Sequence, residues 1–412
     1  MNIYFIAIIS ILLFEYILSF IVRALNLKAL SPQIPDEFED IIDKERYEKS
    51  QSYTLENSKF SYITSTFTLL VNLLFIFGGF YNVVDQFVRN MGYGNMITGL
   101  LFFGLLFILT DIINVPFNLY RTFVIEERFG FNKTNFPTFL LDKIKGYFLL
   151  VIIGGPFLSL ILFFFEHYNT NAWIYAWIVF VIFSLIMQPI FNIFIAPMFN
   201  KFTSLEEGPL LYKIKDYLNK VKFPVKKLEV IDGSRRSSHS NAYFSGMGKN
   251  KRIALFDTLV NQMDDDEIVS VIAHEVGHYK LKHIHMNIIV SSIQSGIMLF
   301  ILSIFIMNEN LFNVFKMDEL SIYASFLFFS ILYTPISMFM GFLFSYISRK
   351  NEFSADEFSA KTTNSPKSLI TGLKKMSKEN LSNLTPHWLH VMLNYSHPPV
   401  IDRINALKVF IK

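Results

Sequence analysis

Seven stretches of this chain are apolar for long enough to cross a hydrocarbon core of about 30 Å, which takes roughly 20 residues of helix. They lie near 3–22, 62–84, 96–119, 147–166, 173–195, 286–306 and 322–347. In lipid the backbone must satisfy its own polar groups, so stretches of this kind are helices. The expected fold class is a predominantly α-helical polytopic membrane protein. Composition agrees, since 52% apolar and 17% charged residues are too greasy and too weakly charged for a soluble chain of 412 residues. The first stretch does not read as a cleaved signal peptide: it has no basic leader, carries Glu15 in its middle and is followed by no small-x-small site.

The basic residues test the span count, because Lys and Arg accumulate in cytoplasmic loops. The connections after spans 1, 3 and 5 and the C-terminal tail hold 6, 5, 14 and 10 of them, which is 35 of the 37 in the chain. The remaining two are Arg89 and Lys316, in the connections after spans 2 and 6. A missed or extra span would scramble this asymmetry. The N-terminus is therefore expected outside, and the large pieces 196–285 and 348–412 in the cytoplasm. The chain contains no cysteine, so any metal must be held by His and carboxylates. No arginine-rich tract with interleaved aromatics occurs, and no nucleic-acid partner is expected.

Within 196–285 the stretches 226–233, 241–248 and 251–260 have β-branched and aromatic runs and read as short strands of a small sheet. Next comes DDDEIVSVIAHEVGHYKLKHIH, in which Asp264 and Glu267 have the spacing of a capping box and predict a helix beginning near 265. On that helix His274 and His278 stand four apart, hence on one face and one turn from each other, as two ligands of one metal require. Glu275 follows the first of them, placed to take a proton from a metal-activated water.

Two histidines leave zinc underligated, and the usual completion is a His or carboxylate from another helix. SRKNEFSADEFSAK (348–361), beyond span 7 on the same side, offers Glu352 as third ligand. Asp356, one turn on, is placed to orient a ligating imidazole through its other nitrogen. The plain alternative for this stretch is a solvated, charged helix face. SSHSNAYFSG (237–246) reads as a loop entering an edge strand, with Asn241 and Ala242 able to position an extended substrate, or as an ordinary polar turn. In NYSHPPVIDRI (394–404) His397 is a candidate donor to an oxyanion and Arg403 a candidate brace acting through a carboxylate; a structural role is the alternative for both.

Taken together, HEVGH at 274–278, NEFSAD at 351–356, SSHSNAYFSG at 237–246, IEERFGFNK at 125–133 and SHPPVIDRI at 396–404 resemble the type I CAAX prenyl proteases, integral-membrane zinc endopeptidases of the HExxH class. The resemblance spans essentially the whole chain, with the motifs in the same order. It implies seven long helices around a water-filled chamber, capped by a cytoplasmic zincin-like metalloprotease domain with a small β-sheet. The expected division is 1–195 for spans 1–5 with their loops, 196–285 and 348–412 for the two parts of the protease domain, and 286–347 for spans 6–7. It also implies one Zn2+ per chain on His274, His278 and Glu352, Glu275 as general base, and Asn241, His397 and Arg403 around the site.

The expected activity is a zinc endopeptidase that removes the C-terminal tripeptide of prenylated CaaX proteins, in the endoplasmic reticulum membrane of a eukaryote or the plasma membrane of a bacterium. Two alternatives stand beside it. One is a membrane-protein quality-control protease without prenyl specificity. The other is a transporter or scaffold with a structural metal, which fits less well because a structural zinc site is closed by four protein ligands. Asp111, deep in span 3, should face a cavity or a partner. His283 and His285 read as part of a basic interfacial cluster with Lys280 and Lys282, and His239 as a neighbour of the substrate strand.

Overall fold

In the computed structural model, which describes residues 2–245 and 251–411, seven helices are long and apolar enough to cross a membrane. They are Ile3–Lys28, Lys44–Phe77, Asn95–Phe129, Phe136–His167, Asn169–Phe199, His283–Phe305 and Ile322–Thr363. Each contains or overlaps one of the expected stretches, with two informative differences.

The second span ends at Phe77 and does not continue to 84. Gly78 and Gly79 break it, and Gly79 adopts φ 68°, a left-handed conformation that glycine takes without a Cβ clash. The following helix, Phe80–Arg89, buries Asp85 against Arg89 Nε at 2.7 Å and the Tyr323 hydroxyl at 2.5 Å. Its Tyr81, Val84 and Val88 pack with Phe312 and Phe315 from the connection after span 6 and close one end of the bundle. The seventh span instead runs on, unbroken, to Thr363. Its 42 residues make about 63 Å of helix, twice the hydrocarbon thickness, so Glu352 and Asp356 ride on a rigid extension of a membrane helix.

The soluble part holds a four-stranded sheet of β1 (Phe202–Ser204), β2 (Lys227–Ile231), β3 (Ala242–Ser245) and β4 (Arg252–Phe256) in the order β1-β2-β4-β3. β2 and β4 are parallel, and β1 and β3 run antiparallel to their neighbours at the two edges. The strand expected over 251–260 stops at Phe256, because Asp257 accepts from Thr258 N at 2.8 Å and Ser234 N at 2.9 Å and opens the helix Asp257–Gln262. Residues 246–248 of the strand expected over 241–248 lie outside the described residues.

The helix Asp265–Lys280 starts where its capping box places it. Asp264 Oδ1 accepts from Glu267 N at 3.0 Å, and Glu267 Oε2 from Asp264 N at 2.9 Å. Its Ile268, Ile272 and Val276 face Ile253 and Leu255 of β4 and Tyr217 and Leu218 of the helix Pro209–Lys220. Burying side chains of this size contributes about 1.5–3 kcal/mol each. Connections between spans join the same body. Phe38, Ile42 and Tyr47, after span 1, pack with Leu369, Leu373 and Ile404, while Phe129 and Phe131, after span 3, pack with Leu381.

Candidate functional site

His274 and His278 leave one face of the helix Asp265–Lys280, and their Nε2 atoms lie 3.1 Å apart. Glu352 meets them from the extended seventh span, with Oε1 3.2 Å from His278 Nε2 and Oε2 3.4 Å from His274 Nε2. One ligand atom from each of the three side chains falls within 4.8 Å of the others. The two helices approach this closely because of Gly277. A Cβ there would stand 3.2 Å from Ala355 Cα, tighter than packing normally tolerates.

Each imidazole is held through its second nitrogen. His274 Nδ1 lies 2.8 Å from Asp356 Oδ1, and Asp356 is gripped in turn by the Arg403 fork, with Nε at 2.8 Å and Nη2 at 2.6 Å. His278 Nδ1 lies 3.0 Å from His283 Nδ1, whose ring is buried and reaches Ser354 Oγ at 3.5 Å through Nε2. A ring that gives its Nδ1 proton to such a partner offers Nε2 as a lone pair. The converging atoms are thus acceptors, and Glu352 Oε2 is buried without a hydrogen bond of proper geometry. These residues fit a cation. In the protein alone a proton serves instead: burial works against a charge on His274, but Asp356 and Glu352 outweigh it and push the imidazole up to about 9. Burial likewise opposes the charge on Arg403, and Asp356 more than restores it.

Two family models divide the chain between them: the CAAX prenyl protease N-terminal region of five membrane helices matches residues 23–201, and peptidase family M48 matches 204–410. The chain belongs to peptidase family M48. A CAAX prenyl protease 1 homolog from Arabidopsis thaliana is 36% identical to it, over 91% of this chain and 90% of that one. CAAX prenyl protease 1 from Saccharomyces cerevisiae is 35% identical over 92% and 89%. The crystal structure of S. mikatae Ste24p superposes with a TM-score of 0.93 at 33% identity, covering 99% of both chains. This M48 protein is therefore a multi-pass membrane metalloprotease acting on peptides or proteins, and the reading as a transporter or scaffold is set aside.

The other residues singled out in the sequence fall in different places, some beside the three converging side chains and some far from them. Glu275 is half-buried beside the ligand group and makes no hydrogen bond or ion pair among the described residues. His397 is exposed, with Nδ1 2.9 Å from Glu352 Oε2. Arg403 also brings Nη1 to 3.5 Å from Glu352 Oε2. Asn241 and Ala242 lead into β3, an edge strand against which the helix of the two histidines packs. His239 points elsewhere: it stacks on Phe131 with ring centroids 3.8 Å apart and approaches Asn380 Oδ1 at 3.3 Å and Glu126 Oε2 at 3.6 Å. It fastens the IEERFGFNK connection to the protease body. Asp111 meets both expectations: it lines a cavity of about 480 Å³, and there Lys143 Nζ stands at 2.7 Å with the Tyr147 hydroxyl bonded to it.

His283 is the correction. It was expected in a basic interfacial cluster, yet it is 7% exposed and braces the ring of His278. The signal for it is HEVGHYKLKH itself, a third histidine five residues after the second. That spacing matches no helical period, so it points nowhere until the intervening turn is known.

Proposed function

We propose that this protein removes the C-terminal tripeptide of prenylated CaaX proteins, with one zinc per chain held by His274, His278 and Glu352. The carrying observation is the convergence of those three side chains at a helix that packs against β3, an edge strand among the described residues. The names of the full-length relatives supply the substrate class. Two imidazoles and a carboxylate are a donor set zinc prefers, and they leave a coordination position open, as catalysis needs. When bound, zinc supplies Lewis acidity toward water and the scissile carbonyl.

The chain's own groups supply the rest. Glu275, unpaired beside the ligands, accepts the proton of the attacking water and returns it to the leaving amine. The edge of β3 at Asn241 and Ala242 receives the substrate backbone as an added strand, which sets the scissile bond against the histidine helix. His397, on a backbone stiffened by the two prolines that follow it and open to solvent, donates to the developing oxyanion. Arg403 acts through Asp356, fixing the tautomer of His274. The seven spans enclose the chamber that admits the tail; few of their residues are buried, from none to 22% of the most apolar stretch of each. The protease domain faces the cytoplasm, in the endoplasmic reticulum membrane of a eukaryotic source or the plasma membrane of a bacterial one, and 196–285 and 348–412 act as its two parts.

The deciding experiment is cleavage of a farnesylated CaaX peptide by the purified protein beside its Glu275→Gln variant, with zinc measured on both. Tripeptide release by the wild type, a drop of about 10²–10⁴-fold in the variant and equal zinc in both support the reading. Equal zinc with no cleavage by either rejects the prenylated substrate and turns the search to unprenylated membrane proteins.

A further inference from the structure

A cavity of about 740 Å³ opens between the polar end of the fifth span and one end of the sheet, and no residue of the metal group lines it. One wall belongs to the membrane helix: Leu185, Gln188, Pro189, Asn192 and Ile193 line it, and Leu185 and Ile193 are exposed. The opposite wall is cationic. Lys201, Lys226, Lys227, Lys251 and Arg252 line it with a single carboxylate, Glu229.

That carboxylate is already engaged. It pairs with Arg252 and stands 3.6 Å from Lys227 Nζ. Arg252 is further fixed by the Asn192 carbonyl at 2.9 Å, within the π-helical turn Phe191–Ile195 that follows Pro189. Lys251 is 7% exposed and its ammonium lies over the faces of Phe223 and Tyr279 at 4.3 and 4.4 Å, two rings outside the cavity lining. With its one carboxylate shared between Arg252 and Lys227, the wall carries an excess of positive charge that an anion would balance.

We propose that this cavity seats the phosphate headgroup of an anionic phospholipid, with its acyl chains lying along Leu185 and Ile193. Cations at a membrane helix end beside exposed apolar side chains suit a headgroup, whereas a free phosphate leaves Leu185 and Ile193 wet. Lys251, part of the cavity wall, touches Tyr279, which directly follows His278, so the wall is in contact with the histidine helix.

The test titrates the full-length protein in neutral detergent with dioleoylphosphatidylglycerol, dioleoylphosphatidylcholine and inorganic phosphate, and reads retained lipid by native mass spectrometry. We expect one phosphatidylglycerol per chain, held at least ~10-fold more tightly than phosphatidylcholine and not displaced by millimolar phosphate. The Lys201→Glu, Lys227→Glu double variant, altered at two exposed positions, should lose that preference. The equally charged Lys44→Glu, Lys408→Glu variant should keep it. Equal retention of the two lipids by the wild type, a preference unchanged in the cavity variant, or displacement by phosphate overturns the assignment.

Discussion

Asp356 links two demands: it accepts a hydrogen bond from His274 Nδ1–H and balances the charge of Arg403. Asp356→Ala therefore frees the ring to rotate or change tautomer and leaves the buried guanidinium with only the longer 3.5 Å ion pair to Glu352. Loss of an outer partner of this kind lowers metal affinity about 10–100-fold, which chelator competition for zinc would measure directly. His283→Phe should give a loss of similar size through His278, and an unchanged affinity would show that the 3.0 Å contact between the rings does no work. The pH dependence has a definite sign. His274, raised to about 9, holds a proton that a cation must displace, so zinc affinity falls as pH drops below that value, about tenfold per unit for one displaced proton. Competition at pH 6 and pH 8 checks it. The i, i+4 pair and the carboxylates of 352 and 356 were legible because helical spacing alone aims them together. His283 was not, because it returns to His278 only through Lys282, which adopts φ 63° between the two helices.

At the scale of elements, the site depends on two helices that meet without an intervening side chain. Gly277 on the histidine helix faces Ala355 on the seventh span, between the positions of Glu352 and Asp356. Gly277→Val forces the helices apart, and overpacking of this kind costs about 1–3 kcal/mol. The expected result is a lower thermal midpoint together with loss of bound zinc, while Gly146→Val, whose site is open, loses neither. Zinc retained at wild-type affinity in Gly277→Val would show that the helix spacing does not set the ligand geometry. The start of the histidine helix was readable from Asp264 and Glu267, since a capping box is local chemistry. The end of the second span was not, because FYNVV continues the apolar composition and only the backbone at Gly78 and Gly79 reveals the break. The three residues of β1 carry no alternation to detect; they are a strand because Phe202 pairs with Ile231.

For the whole molecule, the charge asymmetry and the packing can be set against each other. The connections after spans 1 and 3 pack on the protease body that the fifth connection and the tail build, so all four basic segments share one end. At the other end Asn82 bonds Asp318 at 2.7 Å and Arg89 meets Glu319 at 3.0 Å, joining the connections after spans 2 and 6. The parity counted from lysines and arginines is thus reproduced by contacts that know nothing of charge bias. Which end faces the cytoplasm is an expectation that the basic residues alone carry, through the electrostatics of insertion. A chain with no cysteine makes the question direct, because single cysteines can be placed without removing any. In intact cells a membrane-impermeant maleimide should label Asn310→Cys from outside and reach Lys408→Cys only after permeabilisation, both positions being exposed. The reverse pattern would keep the fold and the metal site but place the protease domain away from cytoplasmic prenylated tails, and the CaaX substrate would fall with it.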